Sequence, residues 1–311
     1  MRLHSHLRKI FWSVVASFSV ITTCAAQNPQ TDTTHSNEVF TSVNADLLLD
    51  AAGSAQRSSL KNIYLIGCRR GDVVSFGTGF LLASGVIVTN AHVVTPCSGF
   101  QLAGISTTNQ KVVFSKTVTD VARDLAVLVP ATKLDGGYDL AKSENPEPGT
   151  QVVTWGYPFA YTGTSPLLSV GYVAGYRNAT ENGKTVKHIV VNGAFNHGNS
   201  GGPLLVSRQN LVVGIVVLTF HFYPPQTRQI IDALNANSGT EVVFTSRLPD
   251  GTTKNFVESQ LTAAVLDEFY NKTQIDIGEA IAVSELRDFI KERSAEFPQA
   301  LVDQVKPTKS K

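Results

Sequence analysis

The chain has 311 residues, 42% hydrophobic and 16% charged, with a formal charge of +1. That length and apolar content bury a substantial core and exclude an intrinsically disordered chain. Three of the 26 basic residues, Arg2, Arg8 and Lys9, precede position 27, where no acid occurs, which leaves 23 basic against 25 acidic residues downstream; that balance gives no footing for nucleic acid or an anionic membrane.

Residues 1–26 run from those basic residues through the apolar Ile10-Phe11-Trp12-Ser13-Val14-Val15-Ala16 to small residues ending Cys24-Ala25-Ala26. This is the pattern of a signal peptide, so the chain is expected to be exported, to a periplasm or outside the cell. The apolar stretch is short for a retained membrane anchor and is interrupted by Ser and Thr. A lipid anchor on Cys24 is the lesser alternative, because Thr23 is bulkier than the residue such cleavage sites carry. Residues 27–60 read as a polar linker with one short helix at 43–52.

Strand-length apolar runs follow at 63–66, 73–76, 79–82, 86–88, 111–114 and 125–129, and again at 152–155, 167–174, 186–191, 204–206 and 211–220. With 24 glycines and abundant Val and Thr, two groups of about six short strands predict an all-β fold of two antiparallel barrels, 61–140 and 141–290, with a cleft between them. Within the second, 220–275 reads as a mixed α/β insertion. It holds helical spacing at 227–237 and 261–272 and a hairpin at 242–255 turning on Pro249-Asp250-Gly251. Strand character returns at 275–283, and a helix begins with Ser284 as its cap. Residues 291–311 read as the helix end and a flexible tail from Pro307.

Three short stretches carry chemistry. His92 stands in Asn90-Ala91-His92-Val93-Val94 at the end of an apolar strand; Asp124 heads Asp124-Leu125-Ala126-Val127-Leu128; Ser200 lies in Gly198-Asn199-Ser200-Gly201-Gly202-Pro203. A nucleophilic serine needs a base, a group that orients the base, and donors for the oxyanion. Taken singly, His92 reads equally well as a core histidine and Asp124 as a solvated turn acid. In the order His, Asp, Ser, each in its own local signature, they resemble the chymotrypsin-like (trypsin-fold) serine proteases, and more closely the HtrA-type branch. Gly156-Tyr157-Pro158 and Ile277-Gly278-Glu279-Ala280-Ile281 look like later landmarks of that branch.

The resemblance implies two Greek-key barrels, with Ser200 as nucleophile, His92 as general base and then acid, Asp124 as the orienting carboxylate, and the amides of Gly198 and Ser200 as the oxyanion hole. It implies no cofactor or metal, and polypeptide substrates. Ala194 matches the floor of the primary specificity pocket, and the strand with Val217 and Thr219 its wall. None of the three is charged, so cleavage after small or medium aliphatic residues is expected. The insertion at 220–275 enters beside that wall and reads equally as a lid or as a surface decoration. Asn199 carries no charge to pair with a freed N-terminus, which argues against activation of that kind. His197 is read as a rim or substrate-contact residue. HtrA-type chains usually continue into PDZ domains, for which the 21 residues after Ile290 leave no room. Cys68 and Cys97 form a candidate disulfide, with two buried thiols as the alternative. The alternative function is a catalytically weak or inactive trypsin-fold protein that works as a binding or chaperone-like module.

Overall fold

The computed structural model describes residues 43–70, 73–143, 145–158, 165–181, 183–193, 195, 198–221, 225–236, 243–247, 253–272 and 274–306. The expected signal peptide, Cys24, the expected hairpin turn at Pro249 to Gly251 and the expected tail from Pro307 lie outside them, as do Ala194 and His197. The chain divides into a larger unit, Ser36–Phe220 with Ile275–Lys311, and a smaller one that includes His221–Gln274.

In the larger unit β1 (Ile63–Arg70), β2 (Val73–Leu81), β3 (Ile87–Thr89), β4 (Ala103–Ser106), β5 (Lys111–Asp120) and β6 (Leu125–Pro130) close as one antiparallel barrel in the order β1-β2-β3-β6-β5-β4. The next strands are β7 (Asp139–Leu140), β8 (Gln151–Gly156), β9 (Leu167–Glu181), β10 (Lys184–Asn192), β11 (Pro203–Val206) and β12 (Leu211–His221). After β13 (Val243–Arg247) and β14 (Thr253–Val257) comes β15 (Gln274–Ala282). A second barrel runs β11-β8-β9-β10-β15-β12 and closes through the β11 to β12 pairing, with β7 added in parallel on β12. Closure removes free sheet edges, so short strands suffice.

The strands read as continuous apolar runs because both of their faces are covered. In β1, Tyr64 and Ile66 enter the first barrel's interior while Ile63 and Leu65 face a second cluster shared with the other barrel. In β15, Ala280 and Ala282 face the second barrel's interior, and Ile281 faces the shared cluster. That shared core fixes how the two barrels meet.

Helices complete the larger unit where composition suggested linker and tail. Residues 43–60 form α1 (Asp46–Ala51) and α2 (Ser54–Leu60), a second helix that the polar sequence conceals. Val43, Ala45 and Leu60 are buried in the shared core, and the Tyr138 hydroxyl donates to the Ser59 carbonyl at 2.6 Å. The one-turn α3 (Ala91–Val94) carries His92. In the smaller unit β13 and β14 pair from Val243 and Val257 to Arg247 and Thr253, beside α4 (Pro225–Ala236) and α5 (Glu258–Lys272).

Helix α6 (Val283–Glu292) starts two residues earlier than expected, with Ala282 rather than Ser284 at its cap position and no side-chain cap bond. Ala282 and Val283 are both fully buried, so packing at the end of β15 sets the start in place of a capping hydroxyl. Val283, Leu286, Phe289 and Ile290 bury one face of α6, the spacing of an amphipathic helix. The chain then docks again through α7 (Gln299–Gln304), with Leu301 and Val305 in the same core. Among the described residues no helix is long and apolar enough to cross a membrane.

Candidate active site

His92 is held from two sides. Val93 and Val94, its neighbours in α3, are buried in the first barrel, and the sulfur of Cys97 just beyond is bonded to that of Cys68 on β1. The helix is thereby pinned at the barrel mouth while half of the imidazole stays exposed, at 50%. Asp124 ends the turn between β5 and β6 with φ of +54°, a left-handed conformation that Asp tolerates better than most residues. This turns its carboxylate back onto α3. One oxygen accepts the His92 backbone N–H at 2.8 Å and the other meets Nδ1 at 2.7 Å. The carboxylate therefore fixes both the backbone and the tautomer. With the proton on Nδ1, the lone pair of Nε2 is left for a substrate. The Asn90 amide, itself buried, donates to the Asp124 carbonyl at 2.9 Å and braces the turn.

Ser200 comes from the second barrel on a loop shaped by glycine. Gly198 and Gly201 have φ of +97° and +84°. A Cβ on Gly201 would sit 2.1 Å from the Thr78 carbonyl oxygen and 2.2 Å from Thr89 Oγ1, so no side chain fits. The amides of Gly201 and Gly202 are bonded, to Val216 and Asn199 carbonyls. Those of Gly198 and Ser200 have no partner among the described residues, which leaves both donors for an oxyanion. The Ser200 hydroxyl donates to the Val217 carbonyl at 3.2 Å and makes no bond to His92 among the described residues. Asn199 is fully buried with both amide atoms unpaired among those residues.

The two halves meet on β2, which the sequence reading left out of the site. Thr78 donates its amide to the Ser200 carbonyl at 2.9 Å and its hydroxyl to the Gly198 carbonyl at 2.7 Å. The same hydroxyl accepts the Tyr157 amide at 3.1 Å, and the Thr78 carbonyl accepts the Thr89 hydroxyl at 2.7 Å. Beside it, a Cβ on Gly77 would meet the Val93 side chain at 2.7 Å and the Ser200 carbonyl at 3.0 Å, so α3 and the serine loop close on the strand from either side. Of the residues expected to line a specificity pocket, Val217 is partly buried at the Ser200 hydroxyl and Thr219 lies on β12. Phe195, missed in the sequence, is 1% exposed in the second barrel's core. Its ring lies where a Cβ on Gly278 would come within 2.2 Å. A large apolar residue five positions before the serine is the signal that would have found it.

Residues 77–215 match the family model of the trypsin-like peptidase domain. The putative serine protease HhoB of Synechocystis sp. is 35% identical over 143 residues, covering 44% of this chain and 33% of that protein. A probable periplasmic serine endoprotease, DegP-like, of Bartonella henselae is 27% identical over 221 residues, 69% of this chain and 40% of that one. The chain thus spans 33% and 40% of the lengths of these two curated relatives. Among solved structures, the inactive form of Rv3671c from M. tuberculosis H37Rv, a serine-to-alanine mutant, covers 85% of this chain and 99% of its own, with a TM-score of 0.51 and 16% identity. That likeness is one of fold.

Proposed function

We propose, for a chain that carries a trypsin-like peptidase domain at residues 77–215, that it is an exported serine endopeptidase acting through His92, Asp124 and Ser200. The observation that carries this reading is the Asp124 carboxylate, which binds the His92 backbone and Nδ1 together and so readies Nε2 as a base. In the reaction the Ser200 hydroxyl turns from the Val217 carbonyl and attacks the scissile carbonyl carbon, its proton passing to His92 Nε2. The carbonyl oxygen, now negative, takes the amides of Gly198 and Ser200. His92 returns the proton to the leaving amine, and water releases the acyl group from Ser200 by the same steps reversed.

Export is supported by the basic, apolar and small-residue order of residues 1–26 and by the bonded Cys68 and Cys97, a bond that persists in oxidising compartments. Ala194, Val217 and Thr219 bring no charge to the pocket, so a Lys or Arg side chain would be buried unpaired there; peptide libraries are expected to show cleavage after Val, Ala, Leu or Ile. One observation favours a second reading, a binding module without turnover: the Ser200 hydroxyl faces Val217, not His92. A fluorophosphonate probe decides between them. Labelling that is lost in Ser200→Ala upholds the protease, and absence of labelling in the unmodified protein sinks it.

A further inference from the structure

Beside Asp124, and on the same turn, Arg123 is buried to 3% exposure and binds three carboxylates. Its backbone and Nη1 donate to Asp120, at 3.1 and 2.5 Å. Its Nε donates to Glu285 at 3.3 Å, Nη1 to Glu292 at 2.9 Å, and Nη2 to the other oxygen of Glu292. Glu285 and Glu292 stand on α6, which β15 of the second barrel feeds directly. Both are tied to β10 as well: the Lys187 amide donates to Glu285 at 3.0 Å, and Lys184 Nζ lies 3.3 Å from Glu292. The turn that presents Asp124 is therefore fastened, through one side chain, to the barrel that presents Ser200.

We infer that Arg123 is a positioning residue, which locks the 120–124 turn to α6 so that Asp124 stays beneath His92 and the pair keeps its register with Ser200. The inference rests on the triad reading above. Stability alone does not account for the residue, because buried ion clusters are often replaced by apolar side chains of similar volume at no loss. What an apolar group cannot supply is direction: the planar guanidinium fork fixes three partners at set angles. Asp124 needs that support, since its left-handed backbone persists only where its surroundings over-determine it. The cluster is charged across a wide pH range. The hydrogen bond from Arg123 holds Glu292 down to about 2, so its contribution is complete above the ordinary carboxylate range and is lost only as pH falls toward that value.

The test follows the Nδ1–H resonance of His92 by NMR, together with peptide turnover, in the full chain and in Arg123→Lys. Lysine keeps the charge but not the fork. Turnover is expected to fall on the order of tenfold with KM little changed, and the His92 Nδ1–H resonance to move upfield, because a displaced carboxylate no longer accepts that proton in a short hydrogen bond. An unmoved resonance overturns the inference, whatever happens to the melting temperature, since a purely structural role would leave it in place. Should Arg123→Lys fail to fold, Glu292→Gln, altered at a half-exposed site, is followed at high salt, which screens the change of charge itself; the same upfield displacement of the Nδ1–H resonance upholds the inference and its absence overturns it. If the unmodified chain turns over no peptide, the protease reading fails, while the Nδ1–H resonance still decides the role of Arg123.

Discussion

The two halves of the site are built by different means. On the first barrel the His92–Asp124 pair is made by side chains: one carboxylate grips a backbone N–H and a ring nitrogen, and the pair is complete without substrate. On the second barrel the Ser200 loop is made by backbone: glycines at positive φ, carbonyls accepting from Thr78, and a hydroxyl that points to Val217. On the proposed reading, the contrast means that His92 is already set as a base before substrate arrives, whereas Ser200 has one rotation still to make. It also predicts that the first half fails when a side chain changes and the second when a backbone does.

The largest effect is expected from Asp124→Asn. The substitution is nearly isosteric, so the turn and its fold should survive. A carboxamide offers the ring an N–H in place of an acceptor and favours the wrong tautomer, with the proton on Nε2. Turnover should fall about 10⁴-fold, with KM and melting temperature little altered. A loss of less than about tenfold would show that the carboxylate does not set the tautomer, and would remove the main distinction between the halves.

Next in size is Gly201→Ala, which attacks the backbone-built half. A methyl group there meets the Thr78 carbonyl at 2.1 Å, on a backbone at φ of +84° that β-carbon-bearing residues avoid. Overpacking costs roughly 1–3 kcal/mol and the left-handed conformation about 1–2 more, so denaturant unfolding should register a loss of about 2–5 kcal/mol. Fluorophosphonate labelling of the folded fraction should fall as the loop shifts. Unchanged stability would mean that the loop has room to move, and that it is not fixed by β2.

The contrast also explains what was legible in the sequence. Barrel strands announce themselves as apolar runs bounded by turn residues, and His92, Asp124 and Ser200 each stand in a short local signature. The bonds that join them are long-range and leave no local trace. Thr78 reads as one more strand residue until its hydroxyl is seen on Gly198, 120 positions away. Arg123 reads as a surface charge until α6 brings Glu285 and Glu292 to it, 162 and 169 positions on. Residues 54–60, Ser-Ala-Gln-Arg-Ser-Ser-Leu, look like linker because their burial depends on just two side chains, Ser59 and Leu60. Ser284 looked like a helix cap because capping chemistry is local, but the buried Ala282 and Val283 decided where the helix begins.

The smallest effect tests where the halves join. Thr78→Val keeps the shape of the side chain and removes one hydroxyl, which donates to the Gly198 carbonyl and accepts the Tyr157 amide. Two buried backbone groups lose their partner, at a cost of about 1–3 kcal/mol for an unsatisfied buried group. The Gly198 carbonyl belongs to the residue whose own N–H, one peptide unit earlier, is proposed for the oxyanion, so its loosening should appear in turnover more than in substrate binding. A fall in kcat on the order of tenfold with KM unchanged is expected, alongside a His92 Nδ1–H resonance that does not move, since Thr78 makes no bond to His92 or Asp124 among the described residues. A displaced His92 Nδ1–H resonance in Thr78→Val would mean that the two halves are not independent, and that β2 carries strain from the serine loop into α3.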